Sequence, residues 1–213
     1  MNRFRLFAFF ALLLPMISFT AGVDAAEQYQ EDVAYAKIQP PQPTADPAKV
    51  EVVEVFWYGC PHCRDFQPYI ERWQLTKPDN VNYIRLPAVL SERWAIHARA
   101  YYTAEALGVL EKLHPLLFDP KARPRDTEDT LAEFFEKNAG IDRTRFLGTF
   151  KSFAIDAKVS RARDMTRRYG IEGTPTMVVS GKYRTGPDMV AGSFDKLINV
   201  VNYLADREAA SRH

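Results

Sequence analysis

The chain has 213 residues, of which 46% are hydrophobic, 26% charged and 13% aromatic, and its formal net charge is +1. This composition excludes a disordered tail or a fibre and predicts one globular unit with a sizeable core. A charge so near zero does not indicate nucleic acid or an anionic membrane surface as a partner. The only two cysteines, Cys60 and Cys63, lie in a single motif.

The amino terminus has the features of a secretory signal peptide. Arg3 and Arg5 precede an apolar run over residues 6–19, and small residues follow it. The run is shorter than the ~20 residues that a membrane span needs, which favours a cleaved signal over an anchor. We therefore exclude residues 1–25 from the fold and expect no stable membrane insertion after cleavage.

The next segment leads to the motif. Residues 26–49 are polar and then rich in proline, which predicts a short edge strand over Val33–Ile38 and an extended connector after it. Residues 52–58 are mainly β-branched or aromatic, which predicts a buried strand that a glycine ends.

The two cysteines belong to a CPHC motif at residues 60–63, directly before a helical pattern. Apolar side chains recur after the motif at the spacing of a helix, and Pro61 suits its first turn because a proline lacks the N–H that would be unbonded there. The pattern places both sulfurs at the amino end of this helix. It predicts that Cys63 faces inward and that Cys60 stands at an exposed tip.

This placement favours redox chemistry. The unpaired amides and the positive dipole end of a helix stabilise a thiolate, and a protonated His62 adds positive charge nearby. A lowered pKa of Cys60 stabilises the dithiol relative to the disulfide, so that the pair becomes an oxidant. We assign Cys60 as the attacking and attacked sulfur and Cys63 as the resolving one. Because the disulfide itself carries the electrons, we predict no other cofactor and no metal.

Other interpretations of the cysteine pair remain open. A structural disulfide gains stability with the length of the loop it closes, and a bridge between Cys60 and Cys63 closes a very short one. Half of a zinc site would need a second cysteine pair, which the sequence lacks. A copper-handling module could use both thiolates and a histidine, although no methionines cluster near the motif.

The remaining elements form two blocks. Residues 81–89 predict a second central strand, and helical patterns follow as far as Gly170, with aromatic stripes typical of a bundle core. The expected helices run through Trp94–Leu107, through Leu110–Phe118, from a cap at Asp126 or Thr127, from Asp142 to Phe150, and from Ile155 to Tyr169. After Gly173, residues 176–180 and 182–185 predict a hairpin, and Ser193 caps a final helix.

In these features the chain resembles the DsbA-type thiol:disulfide oxidoreductases of the bacterial periplasm. The resemblance rests on the signal peptide, on EVFWYGCPHCRDF, on the helical block and on GTPTMVVSGKY before the last helix, and it covers essentially the whole mature chain. It implies an α/β thioredoxin fold with an inserted all-helical domain. Residues 26–90 and 170–213 are then the two parts of the thioredoxin-like domain, and residues 91–169 are the insertion.

The resemblance implies site residues beyond the motif. Pro175 is expected to be a cis proline beside the two sulfurs, which presents the backbone of Thr174 to an extended substrate segment. Glu54 is expected to lie beneath the cysteines and to relay protons to and from Cys63, whereas the alternative is a surface charge on a strand. A depressed cysteine pKa and an oxidising potential are known of this family and are implied in the same way.

Two positions depart from the family pattern. Many members carry an acidic residue where Gln67 stands, which weakens the expectation of an acidic cluster near Cys60. Many strong oxidases have valine where this chain has Thr174, and threonine is common there in isomerases and reductases. His97, His114 and His213 lack motif support, and we interpret them as structural or surface residues.

The sequence thus predicts a periplasmic oxidase that donates its disulfide to unfolded or newly exported cysteine-containing proteins. A quinone-linked membrane oxidase would restore the disulfide, by resemblance. A disulfide isomerase or reductase on the same scaffold is the alternative that Thr174 favours.

Overall fold

A mixed β-sheet with helices on both faces forms the frame of the protein. The computed structural model describes residues 29–122 and 126–212, so the predicted signal peptide and His213 lie outside the described residues. The strands are β1 (Ala36–Lys37), β2 (Val50–Phe56), β3 (Val81–Pro87), β4 (Thr176–Val179) and β5 (Tyr183–Thr185). The helices are α1 (Pro61–Thr76), α2 (Glu92–Ala106), α3 (Leu110–Phe118), α4 (Glu128–Ala139), α5 (Arg143–Phe150), α6 (Phe153–Arg168) and α7 (Phe194–Ala210).

The sheet has the strand order β1-β5-β4-β2-β3. β2 pairs with β3 in parallel and with β4 antiparallel, so that Glu54 lies opposite Arg85 on one side and Met177 on the other. The prediction that residues 81–89 form a central strand was therefore wrong, because β3 lies at the edge of the sheet. Its middle residues are only half-buried, as expected for a strand with one neighbour.

Each face of the sheet packs against a different pair of helices. Val52 belongs to a cluster with Phe66 of α1 and Leu197 of α7, whereas Val53 belongs to a cluster with Val159 of α6. This arrangement follows from the alternation of side chains along a strand. Because both faces are covered, every residue of β2 is buried.

The helices α2–α6 all lie between β3 and β4 in the chain, as the predicted insertion requires. Leu131, Phe135 and Phe146 belong to a separate core that also takes in Phe56 and Tyr58, next to the cysteine motif. The aromatic stripes are therefore a helical core, as predicted, and this core reaches the motif. The α/β fold with a helical insertion is confirmed, while the domain boundaries stay predictions.

The helix ends follow the capping residues in the sequence. Thr127, Asp142 and Ser193 each accept a hydrogen bond from a backbone N–H in the first turn of their helix. Gly140 ends α4 at a φ of 69°, in the left-handed region that suits glycine. Of the two candidate caps for α4, the structure selects Thr127.

Three local features differ from expectation. The edge strand is shorter than Val33–Ile38, because Val33 lies in a turn with 60% of its surface exposed. A 3₁₀-helix over Pro187–Val190 was not predicted, nor was the cis peptide bond between Gln39 and Pro40. Within residues 29–122 and 126–212, none of the helices combines the length and the apolar character needed to cross a membrane.

The turn between β4 and β5 gives a test of packing. Gly181 has a φ of +64°, and a Cβ there would overlap the backbone of Gln42, reaching its carbonyl carbon at 3.0 Å. Gly108 has a φ of +71°, but the space around it is open. We expect Gly108→Ala to cost about 1 kcal/mol of unfolding free energy through the left-handed backbone alone. Gly181→Ala should cost at least about 2 kcal/mol, because the connector must also move. Urea unfolding measures both, and equal losses would contradict the packing argument.

Candidate active site

The two cysteines lie at the amino end of α1, directly after the loop that follows β2. Cys60 is the amino-terminal cap of α1, and Pro61 is its first residue, as the motif predicted. Between strand and helix, the indole of Trp57 stacks on that of Trp94 with ring centroids 4.4 Å apart. Gly59 is required by space, since a Cβ there would overlap this indole and approach its Cε2 to 2.6 Å. The loop before Cys60 is therefore fixed by packing against the insertion.

The sulfur of Cys60 caps the helix. Cys60 Sγ accepts a hydrogen bond from the backbone N–H of Cys63 at 3.2 Å, and in its protonated form it donates to the carbonyl of Thr174 at 3.1 Å. Cys60 is only 8% exposed and Cys63 is 0% exposed. The inward orientation of Cys63 is as predicted. The prediction that Cys60 is exposed was wrong, because its sulfur contacts Thr174 in the segment before β4 and is thereby shielded from solvent.

The two thiols differ in acidity. A hydrogen bond from Cys63 lowers the pKa of Cys60 to about 6, despite the opposing effect of burial. The Thr174 side chain and the backbone N–H groups of Cys63 and His62 contribute to this lowering. Burial raises the pKa of Cys63 far above its ordinary range, and the hydrogen bond and charge of Cys60 add to this rise. At neutral pH Cys60 is thus a thiolate and Cys63 a thiol.

The segment before β4 contacts this pair. The peptide bond between Thr174 and Pro175 is cis, as expected, and Pro175 is buried. A cavity of about 660 Å³ opens beside this segment, and its lining includes His62, Met189 and Phe194. A cavity of this size next to a reactive group, with both apolar and polar side chains in its lining, is typical of a binding site.

His62 lies at the surface and lines this cavity. The backbone N–H of His62 lowers the pKa of Cys60, whereas the sequence analysis predicted that the charge of the His62 imidazole would lower it. The electrostatic role of the His62 side chain stays a prediction.

Glu54 lies in the layer beneath the cysteines. It is 0% exposed, so the alternative of a surface charge was wrong. Gln67 donates to Glu54 Oε1 at 2.8 Å and also lies 3.3 Å from the carbonyl of Cys63, while Tyr83 donates its hydroxyl to Glu54 Oε2. Burial raises the pKa of Glu54 above its ordinary value, against the hydrogen bonds from Tyr83 and Gln67 and the charge of Arg85.

Sequence reasoning missed the partners of Glu54. Gln67 was noted only as the absence of an acid, although its position four residues after Cys63 places both side chains on one face of a helix. No sequence pattern indicated a role for Tyr83, because its contact with Glu54 depends on how β2 and β3 pair in the sheet.

Two of the histidines are buried in the insertion. His97 Nε2 lies 2.8 Å from Asp126 Oδ1, and His114 Nδ1 lies 2.8 Å from the hydroxyl of Tyr58. Burial and the charge of Arg85 lower the pKa of His114 to about 3, so His114 is neutral and structural, as interpreted. Its contact with Tyr58 ties α3 to the loop before Cys60.

Comparison with known proteins places this geometry in a family. A model of the DSBA-like thioredoxin domain matches residues 81–199. The thiol:disulfide interchange protein DsbA of Pseudomonas aeruginosa is 35% identical over 202 residues, which cover 93% of this chain and 95% of that protein. This chain belongs to the DsbA family. The DsbA protein of Pseudomonas syringae pv. tomato is also 35% identical, covering 94% of each chain.

Solved structures of family members agree with the fold. The crystal structure of Pseudomonas aeruginosa DsbA matches with a TM-score of 0.81 at 36% identity, covering 88% of this chain and 98% of that chain. The DsbA oxidoreductase of Xylella fastidiosa matches with a TM-score of 0.76 at 32% identity, covering 83% and 96%. This family member is therefore a thiol:disulfide oxidoreductase, and Cys60 and Cys63 form a C-x-x-C pair that fits a redox-active disulfide.

The hydroxyl of Thr174 gives a test of how the Cys60 pKa is set. Thr174→Val keeps the shape of the side chain but removes its hydrogen bond, so the pKa of Cys60 should rise by up to about one unit. Titration of the thiolate by its ultraviolet absorbance measures this. Thr176→Val is the control, because the Thr176 hydroxyl donates to the carbonyl of Gly173 instead. A rise in the control as large as in Thr174→Val would contradict the assignment.

The acidity of Cys60 also predicts a pH dependence of stability. The pKa falls from an ordinary 9.0 to about 6 in the folded dithiol protein. Its contribution to stability is therefore complete above the unfolded value and is lost as the pH falls through about 6; at pH 7 it amounts to about 1.4 kcal/mol. The free energy of unfolding of the dithiol form, minus that of the disulfide form, should be larger at about pH 8 than at about pH 5. A pH-independent difference would refute this.

Proposed function

We propose that this protein is a periplasmic oxidase that donates a Cys60–Cys63 disulfide to unfolded or newly exported cysteine-containing proteins. The observation that carries the proposal is the difference between the two thiols, with the pKa of Cys60 near 6 and that of Cys63 raised. A stabilised Cys60 thiolate favours the dithiol form of the protein, which makes its disulfide a strong oxidant.

The first step forms a mixed disulfide at Cys60. A substrate thiolate attacks Cys60 Sγ, the bond to Cys63 Sγ breaks, and Cys63 leaves with the electron pair and takes up a proton. The low pKa of Cys60 does not assist this step, but Thr174, which lies beside Cys60 Sγ in the dithiol form, also lines the cavity that would hold the substrate. Attack at Cys60 is favoured because Cys63 is 0% exposed.

The second step releases the oxidised substrate. A second substrate thiolate attacks the substrate sulfur of the mixed disulfide, and Cys60 leaves as a thiolate. A thiol with a lower pKa is a better leaving group, so the acidity of Cys60 accelerates this step. The substrate loses two electrons and gains a disulfide, and the protein becomes a dithiol.

The residues around the pair supply binding and proton transfer. The backbone of Thr174, before Pro175, aligns an extended substrate segment as an added strand, and the cavity lined by Met189 and Phe194 accepts its side chains. Glu54 gives the proton to the departing Cys63 and accepts it again when the disulfide is restored. Its full burial and its link to Cys63 through Gln67 support this role.

The cellular setting follows from the amino terminus and the family. A signal peptide over residues 1–25 would export the chain to the periplasm. Restoring the disulfide needs an electron acceptor, for which a quinone-linked membrane oxidase is the partner of suitable chemistry.

An isomerase or reductase is the second candidate, because this chain has Thr174 before the cis proline, where threonine is common in isomerases and reductases of this kind. The equilibrium reduction potential against glutathione separates the candidates. A reduction potential well above that of thioredoxin, which is about −270 mV, indicates an oxidase, and a potential near that of thioredoxin indicates a reductase. Refolding of a scrambled disulfide protein by the dithiol form should be slow for an oxidase.

A matched pair of variants tests the order of attack. Cys63→Ser, incubated with oxidised glutathione, should accumulate a Cys60–glutathione mixed disulfide, because the Cys60 thiolate attacks the glutathione disulfide and displaces one glutathione thiolate while the resolving thiol is gone. Cys60→Ser should accumulate none. Mass spectrometry under non-reducing conditions identifies the adduct. Both variants should lose catalytic oxidation of a dithiol peptide almost completely. Oxidation by Cys60→Ser at the wild-type rate would overturn the proposal.

A further inference from the structure

The buried carboxylate of Glu54 has an uncharged hydrogen-bond shell from two different elements. Oε1 accepts from Gln67 of α1, and Oε2 accepts from Tyr83 of β3. Burying a carboxylate is costly unless donors occupy its oxygens, so these two contacts favour the ionised form of Glu54 against the effect of burial.

The charged groups near Glu54 act on its pKa in opposite senses. Arg85 lies opposite Glu54 in the register of β2 and β3, but its guanidinium binds Glu111 at 2.9 Å. Glu71 of α1 acts on Glu54 in the opposite sense to Arg85, and Cys63 above it is a neutral thiol when reduced. The hydrogen bonds from Tyr83 and Gln67 lower the pKa of Glu54 more than the charge of Arg85 does, so the neutral donors are the main groups that oppose the effect of burial.

The two donors are not equivalent. The Gln67 amide nitrogen can only donate, and it is shared with the carbonyl of Cys63. The Tyr83 hydroxyl can donate to a carboxylate or accept from a carboxylic acid, so it can serve Glu54 before and after proton transfer. Burial raises the pKa of Tyr83, which keeps its proton in place.

The ring of Tyr83 is held in place. It meets the indole of Trp73 edge to face, with centroids 5.9 Å apart, and the Arg85 guanidinium lies 5.8 Å from its centroid. Trp73 Nε1 in turn donates to Asn202 Oδ1 at 2.7 Å, which fixes the indole. The hydroxyl therefore points at Glu54 from a rigid support, which is the requirement for a group that orients another.

We propose that Tyr83 is a positioning residue for thiol–disulfide exchange: its hydroxyl holds Glu54 in the orientation and ionisation state needed to exchange a proton with Cys63. The inference rests on the role of Glu54 in the proposed function. In the forward step the proton moves from Glu54 to the departing Cys63 sulfur, and in the reverse step it returns, while Tyr83 keeps its own proton.

The test uses Tyr83→Phe, which keeps the ring contact with Trp73 and removes the hydroxyl. The reaction is the release of glutathione from a Cys60–glutathione mixed disulfide, in which Cys63 must lose its proton. Without the hydroxyl, the carboxylate of Glu54 loses a donor and its pKa rises, so the acid limb of the pH–rate profile should shift to higher pH by about one unit. This makes release about tenfold slower below the limb and unchanged above it. The carboxyl infrared band that Glu54→Gln removes should persist to higher pH in Tyr83→Phe.

Controls separate this role from general damage. Tyr183→Phe, on β5 and separated from β3 by two strands, should leave the profile unchanged, and the Cys60 titration should stay near pH 6 in Tyr83→Phe. In the Glu54→Gln background, Tyr83→Phe should have no further effect, since the two groups act as one unit.

Two results would overturn the inference, and they have different meanings. If Glu54→Gln alters the profile and Tyr83→Phe does not, then Tyr83 is merely structural and the proposed role of Glu54 stands. If neither substitution alters it, the proton-transfer role of Glu54 fails together with that of Tyr83. The mixed disulfide at Cys60 is tested separately by the trapping variants, so its failure is recognised independently.

Discussion

The active site depends on one hydrogen bond, from the backbone N–H of Cys63 to the sulfur of Cys60. A helix begins with unbonded N–H groups, which a side chain of the capping residue usually satisfies. Here the acceptor is the reactive atom itself, so the energy that stabilises the first turn of α1 also stabilises the thiolate. Folding and redox chemistry are thereby coupled through this contact, and the side chains of Cys63 and Thr174 also lower the pKa of Cys60.

That contact is held from two sides. On one side, the loop before Cys60 is anchored in the insertion, where Tyr58 meets His114 and Trp57 stacks on Trp94. On the other side, Thr174 brings its carbonyl and its side chain to the sulfur. The helical insertion therefore does more than cover one face of the sheet, because its contacts with Trp57 and Tyr58 position the loop directly before Cys60.

The sequence was sufficient where function follows from local structure. The strand, the glycine, the CPHC motif and the caps of α4, α5 and α7 are short-range signals, and the structure reproduces them. The exposure of Cys60 could not be predicted, because it depends on a contact with Thr174, more than a hundred positions later in the chain. The position of β3 at the sheet edge and the contact of Tyr83 with Glu54 likewise depend on strand pairing, which hydrophobic pattern alone does not specify.

The space that Gly59 leaves for the Trp57 indole has an evolutionary consequence. Most invariant glycines are constrained by their backbone angles, and a single substitution there fails regardless of its neighbours. Gly59 is constrained by a neighbouring ring, so the two positions should show epistasis: a side chain at residue 59 becomes acceptable only after residue 57 has become smaller. Replacing Trp57 by a smaller residue would remove its stacking contact with Trp94. A protein with this change alone would hold the loop before Cys60 less firmly. The two positions are therefore expected to change together and not one at a time.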